Sequence, residues 1–328
     1  MNLLETLGLQ YPVMQAGMGG GVAGGELAGA VSAAGALGTV GITDPRTFAA
    51  DLRKAAMLAP KRPVAANLLT PFVRKAHIDA CVANGVALVV LLGGFPPRWI
   101  GALRSAKIPV LCTVGSAAET RQALQAGADG VVVQGVEAGG HQMADRPLSV
   151  TLPEVLEATG DDTPVLAAGG VAEAEDVRKL LAAGAVGAVA GTRFLLTEES
   201  RAHPEYKKRV LGADRTIRTM MFGMGWPRAH RVVPNAVTDR WCARDEMGPR
   251  WVRALSHASA PLGRALPLGA LDTIISFQHN VLPLFTPALP LVGMKASVVD
   301  RSALYAGETI HRIHDIVPAA DAVAQLAP

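Results

Sequence analysis

The chain has 328 residues, half of them hydrophobic, 35 of them glycine and only 18% charged. That composition excludes a disordered chain and leaves ample length for a buried core. A formal charge of +3 gives no field strong enough to suggest a nucleic-acid partner.

Three widely spaced cysteines, Cys81, Cys112 and Cys242, offer neither a disulfide framework nor a structural zinc site. No metal ligand set is expected. No Lys or Arg precedes Arg46, so a secretory signal is not expected and the protein reads as cytoplasmic. The apolar stretch Val281 to Met294 falls short of the ~20 residues of a bilayer span and contains Pro283, Pro287 and Pro290, so no membrane partner is expected.

In chain order, eight short apolar runs stand out: Tyr11 to Gly17, Leu37 to Gly41, Pro63 to Leu68, Leu88 to Gly93, Ile108 to Val114, Gly130 to Gly135, Pro164 to Gly170 and Ala188 to Phe194. Their first residues lie 20 to 34 positions apart, the length of a strand, a crossover helix and two loops. Helical patterns fill the gaps at Glu26 to Ala34, Pro71 to Asn84, Ala117 to Ala126 and Ala172 to Ala183, each followed by a capping glycine (Gly35, Gly85, Gly127, Gly184). Continuous apolar strands alternating with helices predict a parallel sheet covered on its outer face, and eight repeats predict closure into a (β/α)8 TIM barrel. A doubly wound open sheet is the competing architecture.

The rhythm stops after Phe194. Residues 1–204 form the predicted barrel domain, 205–295 a mostly helical insert leaving after the eighth strand, and 296–328 C-terminal helices returning to the barrel. Those helices are placed at Ala303 to Ile316 and Pro318 to Leu326. The insert region is basic, with 13 Lys or Arg against 5 Asp or Glu from Arg201 to Arg264, and holds Trp226, Trp241 and Trp251. It reads as a substrate or lid domain, or else as a solvated basic face.

In a TIM barrel the chemistry lies where the strands end. The seventh run ends in Ala168-Gly169-Gly170 and the eighth carries Gly191-Thr192. Glycines on that pair of loops let backbone N–H groups approach a phosphate. The first run ends in Gln15-Ala16-Gly17-Met18-Gly19-Gly20-Gly21, over which a flat ring could lie, without the GxGxxG spacing of a Rossmann fingerprint. Asn67 ends an apolar strand with a polar amide, placed either to meet a ligand or to cap a loop. After the sixth run comes Gln134-Gly135-Val136-Glu137-Ala138-Gly139-Gly140-His141, before the longest gap between strands. A histidine at that rim can exchange protons near neutral pH.

With PVMQAGM, AAN, QGVEAGGH, AAGG and GTRFLLTEES in this order, the sequence resembles the nitronate monooxygenase family, formerly 2-nitropropane dioxygenases, which also includes FMN-dependent enoyl-acyl-carrier-protein reductases. The likeness covers about residues 8 to 210 and returns at Tyr305-Ala306-Gly307-Glu308 and Pro318-Ala319-Ala320. It implies FMN, with Gly17, Met18 and Gly19 by the flavin ring and Asn67, Thr113, Gln134 and Gly139 as further contacts. It places the phosphate on Ala168, Gly169, Gly170, Gly191 and Thr192, and gives His141 the catalytic role. It also implies a small-molecule substrate, with a nitronate oxidised by oxygen to a carbonyl compound and nitrite. The alternative implied is a reductase that takes hydride from NAD(P)H and passes it to an enoyl thioester or a quinone. A flavin-free phosphosugar lyase or isomerase is a third option, and a homodimer is one option for assembly. Two departures from the family pattern are Gln142-Met143-Ala144-Asp145-Arg146-Pro147 after the histidine and the basic, Trp-containing insert.

Overall fold

The computed structural model describes residues 3–160, 162–265, 274–279 and 281–328. Eight strands form one parallel sheet: β1 (Val13–Gln15), β2 (Gly38–Gly41), β3 (Val64–Leu69), β4 (Leu88–Leu92), β5 (Val110–Val114), β6 (Gly130–Gln134), β8 (Val165–Ala168) and β9 (Gly187–Ala190). Each pairs with its neighbour in chain order, β9 returns to β1, and a parallel bridge from Met14 to Leu37 brings β1 to β2. This is the (β/α)8 barrel, not an open sheet.

The strands read as mainly apolar runs because both faces are covered. Met14, Leu37, Ala65, Leu88, Val90, Leu111, Val132, Leu166 and Val189 fill the interior, with Leu4 of the short helix α1 (Leu3–Thr6) packed against them. The alternating residues Val89, Leu91, Val110, Cys112, Val131, Val133 and Val165 face outward. Among their partners are Ala28 of α2 (Gly25–Ala33), Phe48 and Leu52 of α3 (Pro45–Leu58), Ile78 of α4 (Lys75–Ala83), Leu103 of α5 (Pro97–Ser105), Ala123 of α6 (Ala117–Gln125), Val155 of α7 (Leu148–Thr159) and Leu180 of α8 (Ala174–Ala182). Each such side chain contributes about 1.5–3 kcal/mol by leaving water. The three cysteines are free and buried, and burial pushes the Cys81 and Cys112 thiols up to about 12.

Two elements differ from the sequence expectation. The eighth run stops being a strand at Ala190, where the chain turns through Gly191 into a single helical turn, α9 (Thr192–Leu195). The helix expected over Ala303 to Ile316 is absent. Its place is taken by extended chain and a 3-10 turn at Glu308–Arg312. Its backbone groups bond at long range, with Val233 N–H donating to Leu304 O and Glu308 N–H to Glu137 O. The C-terminal helix does form, at Ala319–Leu326.

Among the described residues the insert holds three helices, α10 (Pro204–Leu211), α11 (Ala236–Trp241) and α12 (Arg250–Ala265), with longer irregular stretches between them, so it is less helical than expected; positions 266–273 and 280 lie outside the described residues. It also contains two strands, β10 (Ile217–Thr219) and β11 (His230–Val232), which form an antiparallel sheet with β7 (Gly140–His141). The insert is thereby stitched to the histidine loop of the barrel.

Candidate active site

A cavity of about 380 Å³ opens at the C-terminal ends of the strands. All thirteen residues singled out from the sequence line it: Gly17, Met18, Gly19, Asn67, Thr113, Gln134, Gly139, His141, Ala168, Gly169, Gly170, Gly191 and Thr192. Neighbouring strands in a closed sheet end at one mouth, which brings together loops more than 170 residues apart in the chain.

Local packing explains several of these identities. A Cβ on Gly17 would overlap the side chain of Asn67, so the backbone after β1 can approach β3 only as glycine. After β8 the chain turns through Gly169 (φ +123°) and Gly170 (φ +74°), conformations that favour glycine. Thr192 Oγ accepts a 2.9 Å bond from Gly307 N–H, which leaves its own hydroxyl proton to donate. The Gln134 amide is committed to the histidine strand: Nε2 donates to His141 O at 3.2 Å, and Oε1 accepts from Met143 N–H at 2.7 Å.

The His141 ring is buried, stacked on Trp226 with centroids 3.9 Å apart and 12° between planes, and flanked by His230 and Tyr305. Its Nε2 has no hydrogen-bond partner among the described residues, and neither has Asn67 Oδ1. Burial, first, and the neighbouring His230 and Arg228 hold the His141 pKa well below the usual histidine range, so the ring is neutral. Unsatisfied buried polar atoms cost about 1–3 kcal/mol each and concentrate where a ligand completes the site.

The sequence profile of the nitronate monooxygenase family matches residues 1–80 and 70–328, which between them span the whole chain. The chain belongs to the nitronate monooxygenase family. A Mycobacterium tuberculosis relative, (3aS,4S,5R,7aS)-5-hydroxy-7a-methyl-1-oxo-octahydro-1H-indene-4-carboxyl-CoA dehydrogenase, is 34% identical over 248 residues, covering 73% of this chain and 67% of the relative. Nitronate monooxygenase from Pseudomonas aeruginosa is 31% identical over 279 residues, 70% of this chain and 79% of its own. The structure of nitroalkane oxidase from Streptomyces ansochromogenes superposes with a TM-score of 0.78 at 28% identity, over 99% of this chain and 96% of that one. The chain is therefore an oxidoreductase.

Several residues of this cavity were not singled out from the sequence as site residues. Phe72, Tyr206, Trp226, Leu289, Leu291 and Tyr305 form its aromatic and aliphatic walls. Tyr305 carried a signal through the YAGE string of the family likeness, and Trp226 only as one of the insert's tryptophans. The charged groups in the lining are occupied by the fold. Asp44 accepts from Arg46 and Thr47 N–H, Glu137 accepts from Leu148 N–H, and Arg201 is shared between Glu26 and Asp51. Four of the insert's arginines are likewise paired with carboxylates: Arg209 with Asp300, Arg215 with Glu246, Arg231 with Glu308 and Arg253 with Asp245. Among the described residues, no helix is long and apolar enough to cross a membrane.

His230 beneath the site makes stability pH-dependent. Its Nε2 accepts from Phe222 N–H, its other nitrogen meets Arg228 O, and burial depresses its pKa to about 4. The unfolded chain takes up a proton near pH 6.5 and the folded protein does not, so stability is complete above pH 6.5 and falls as pH drops toward 4. His230 alone is expected to remove about 2 kcal/mol by pH 5. Urea midpoints at pH 7.5 and 5.0 measure this, and His230→Gln is expected to shrink the difference by that amount, leaving the part that comes from other buried groups such as His141; an unchanged difference in that variant contradicts the assignment.

Proposed function

We propose that the protein is a cytoplasmic, FMN-dependent nitronate monooxygenase that oxidises alkyl nitronates with oxygen to carbonyl compounds and nitrite. The carrying observation is convergence. Glycine turns after β8 and β9 and an uncommitted neutral histidine face one cavity with apolar walls.

The residues present fit FMN. Gly169, Gly170, Gly191 and Thr192, with Ala168, would hold the phosphate through backbone amides and the Thr192 hydroxyl. Gly17, Met18, Gly19, Thr113 and Gly139 would surround the ring, and the unpartnered Asn67 Oδ1 would accept a hydrogen bond from it. When bound, FMN supplies the electron transfer and the reaction with oxygen that no side chain here can provide.

The chain's own part is placement and proton handling. Phe72, Trp226, Leu289 and Leu291 enclose the alkyl portion and exclude water. A neutral imidazole offers one N–H donor and one acceptor nitrogen. His141 can thus donate to a nitronate oxygen, or take the α-proton of the neutral nitroalkane at its ring nitrogen. With Arg201 already paired to two carboxylates, the lining holds no spare cation among the described residues, so hydrogen bonding must meet the substrate's charge.

A second reading is an FMN-dependent NAD(P)H reductase of an enoyl thioester or a quinone. The likeness to a carboxyl-CoA dehydrogenase favours it. Anaerobic mixing of the yellow holoprotein with NADPH separates the two. No bleaching, together with oxygen uptake and nitrite release on adding a nitronate, is the expected result. Rapid bleaching by NADPH without nitronate turnover gives the function to the reductase.

A further inference from the structure

The segment after the histidine, Gln142 to Pro147, is one of the two places where the sequence departs from the family pattern, and the basic insert is the other. The structure joins them. Gln142 is 2% exposed, and every polar atom of its side chain is engaged. Its Nε2 donates to Val136 O at 2.6 Å and to Ala138 O at 2.8 Å, while its Oε1 accepts from Arg218 Nε at 2.8 Å. The same guanidinium donates to Ala144 O at 3.2 Å.

Arg218 sits on β10, and the backbone beside it is fastened too. His141 lies opposite His230 in the β7–β11 ladder, Gln142 N–H donates to Ala229 O at 2.9 Å, and Arg231 Nε donates to Val136 O at 2.9 Å. A two-residue strand at a sheet edge has little stability of its own. The side-chain fastening one residue after His141 fixes where the backbone leaves the ladder, and so where the imidazole stacks.

We propose that Gln142 and Arg218 are positioning residues that hold His141 in its stacked orientation against Trp226, acting as one unit across the junction of barrel and insert. The proposal rests on His141 acting on substrate. Neither residue need touch the substrate or the cofactor. Arg is required because one planar group serves the Gln142 oxygen through Nε and the Ala144 carbonyl through Nη2; lysine has its three donors on one nitrogen and lacks that fork.

The test uses the holoprotein of Arg218→Met, Gln142→Met and the double variant, with Arg209→Met as a control from a surface pair of the same insert. Two quantities are read. The first is the NMR shift of the His141 ring protons, which the Trp226 ring current moves upfield and which needs no turnover. The second is kcat against KM with a nitronate.

Both single variants are expected to lose the upfield shift and about 10- to 100-fold in kcat, with KM and flavin content within twofold. The double variant is expected to be no worse than the poorer single, as for residues that work as a unit. Arg218→Lys is expected to recover only part of the loss. Arg209→Met is expected to match the parent in both readouts. An unchanged His141 shift in both single variants overturns the proposal, as does a double variant whose losses multiply. Full turnover in His141→Ala would instead sink the functional reading, while the ring shift would still decide whether Gln142 and Arg218 orient the imidazole.

Discussion

His141→Ala is expected to fold, to bind flavin as the parent does, and to lose about 10²- to 10⁴-fold in turnover, the usual range for removing a positioned acid or base. The loop does not depend on the imidazole. Its backbone is held by Gln134, by the β7–β11 ladder and by the Gln142 amide, none of which uses the ring. The ring's Nε2 is buried and unpartnered, so truncation removes no hydrogen bond from that atom and mainly leaves a void beside Trp226. Absorbance of the purified variant reports flavin content, and stopped-flow mixing with a nitronate reports turnover. Parent-like rates in a fully loaded variant would remove His141 from the chemistry.

The same ring constrains the pH profile. Burial and nearby His230 and Arg228 keep it neutral well below pH 6.5. If it removes the α-proton of a neutral nitroalkane, the rate is expected to stay level from pH 8 to 6 and to fall only in more acid solution, where the base becomes protonated. A fall centred near pH 6.5 in the free enzyme would contradict the burial described for His141.

Much of this site was legible because a parallel barrel writes itself plainly into sequence. Strands covered on both faces, such as Leu88–Leu92, are apolar without interruption, and their C-terminal ends mark the rim of the cavity. What stayed hidden depends on distant partners. Two- and three-residue strands such as Gly140–His141 and Ile217–Thr219 leave no periodicity, and only the pairing of each with His230–Val232 makes them strands. The segment from Ala303 to Ile316 has helix-like apolar spacing, yet Leu304, Ala306 and Ile310 face a core built from the insert and barrel. Its backbone bonds to Val233 and Glu137 instead of to itself. Trp226 looked like one tryptophan of a basic insert, and only the fold brings it onto His141.

Gly169→Asp is the sharpest test of the phosphate placement and is expected to weaken FMN binding by about three orders of magnitude. Gly169 has φ +123°, and a Cβ there would lie 3.5 Å from Gly135 N and Ala138 N and 3.6 Å from the Glu137 carboxylate. An aspartate thus meets backbone strain, an existing negative charge and the proposed phosphate at once. Two like charges about 4 Å apart at an effective dielectric near 20 repel by about 4 kcal/mol, which accounts for roughly a thousandfold. Gly169→Ala separates the causes, because it carries the strain without the charge. It is expected to cost about tenfold, in line with about 1–3 kcal/mol for an unfavourable backbone conformation shared between folding and binding. Titrating each apoprotein with FMN by fluorescence quenching, with riboflavin alongside, reads the charge term directly. The aspartate should penalise FMN far more than riboflavin, which lacks the phosphate. Equal penalties for the two ligands would mean that the phosphate lies elsewhere, and that the turns after β8 and β9 merely shape the barrel rim.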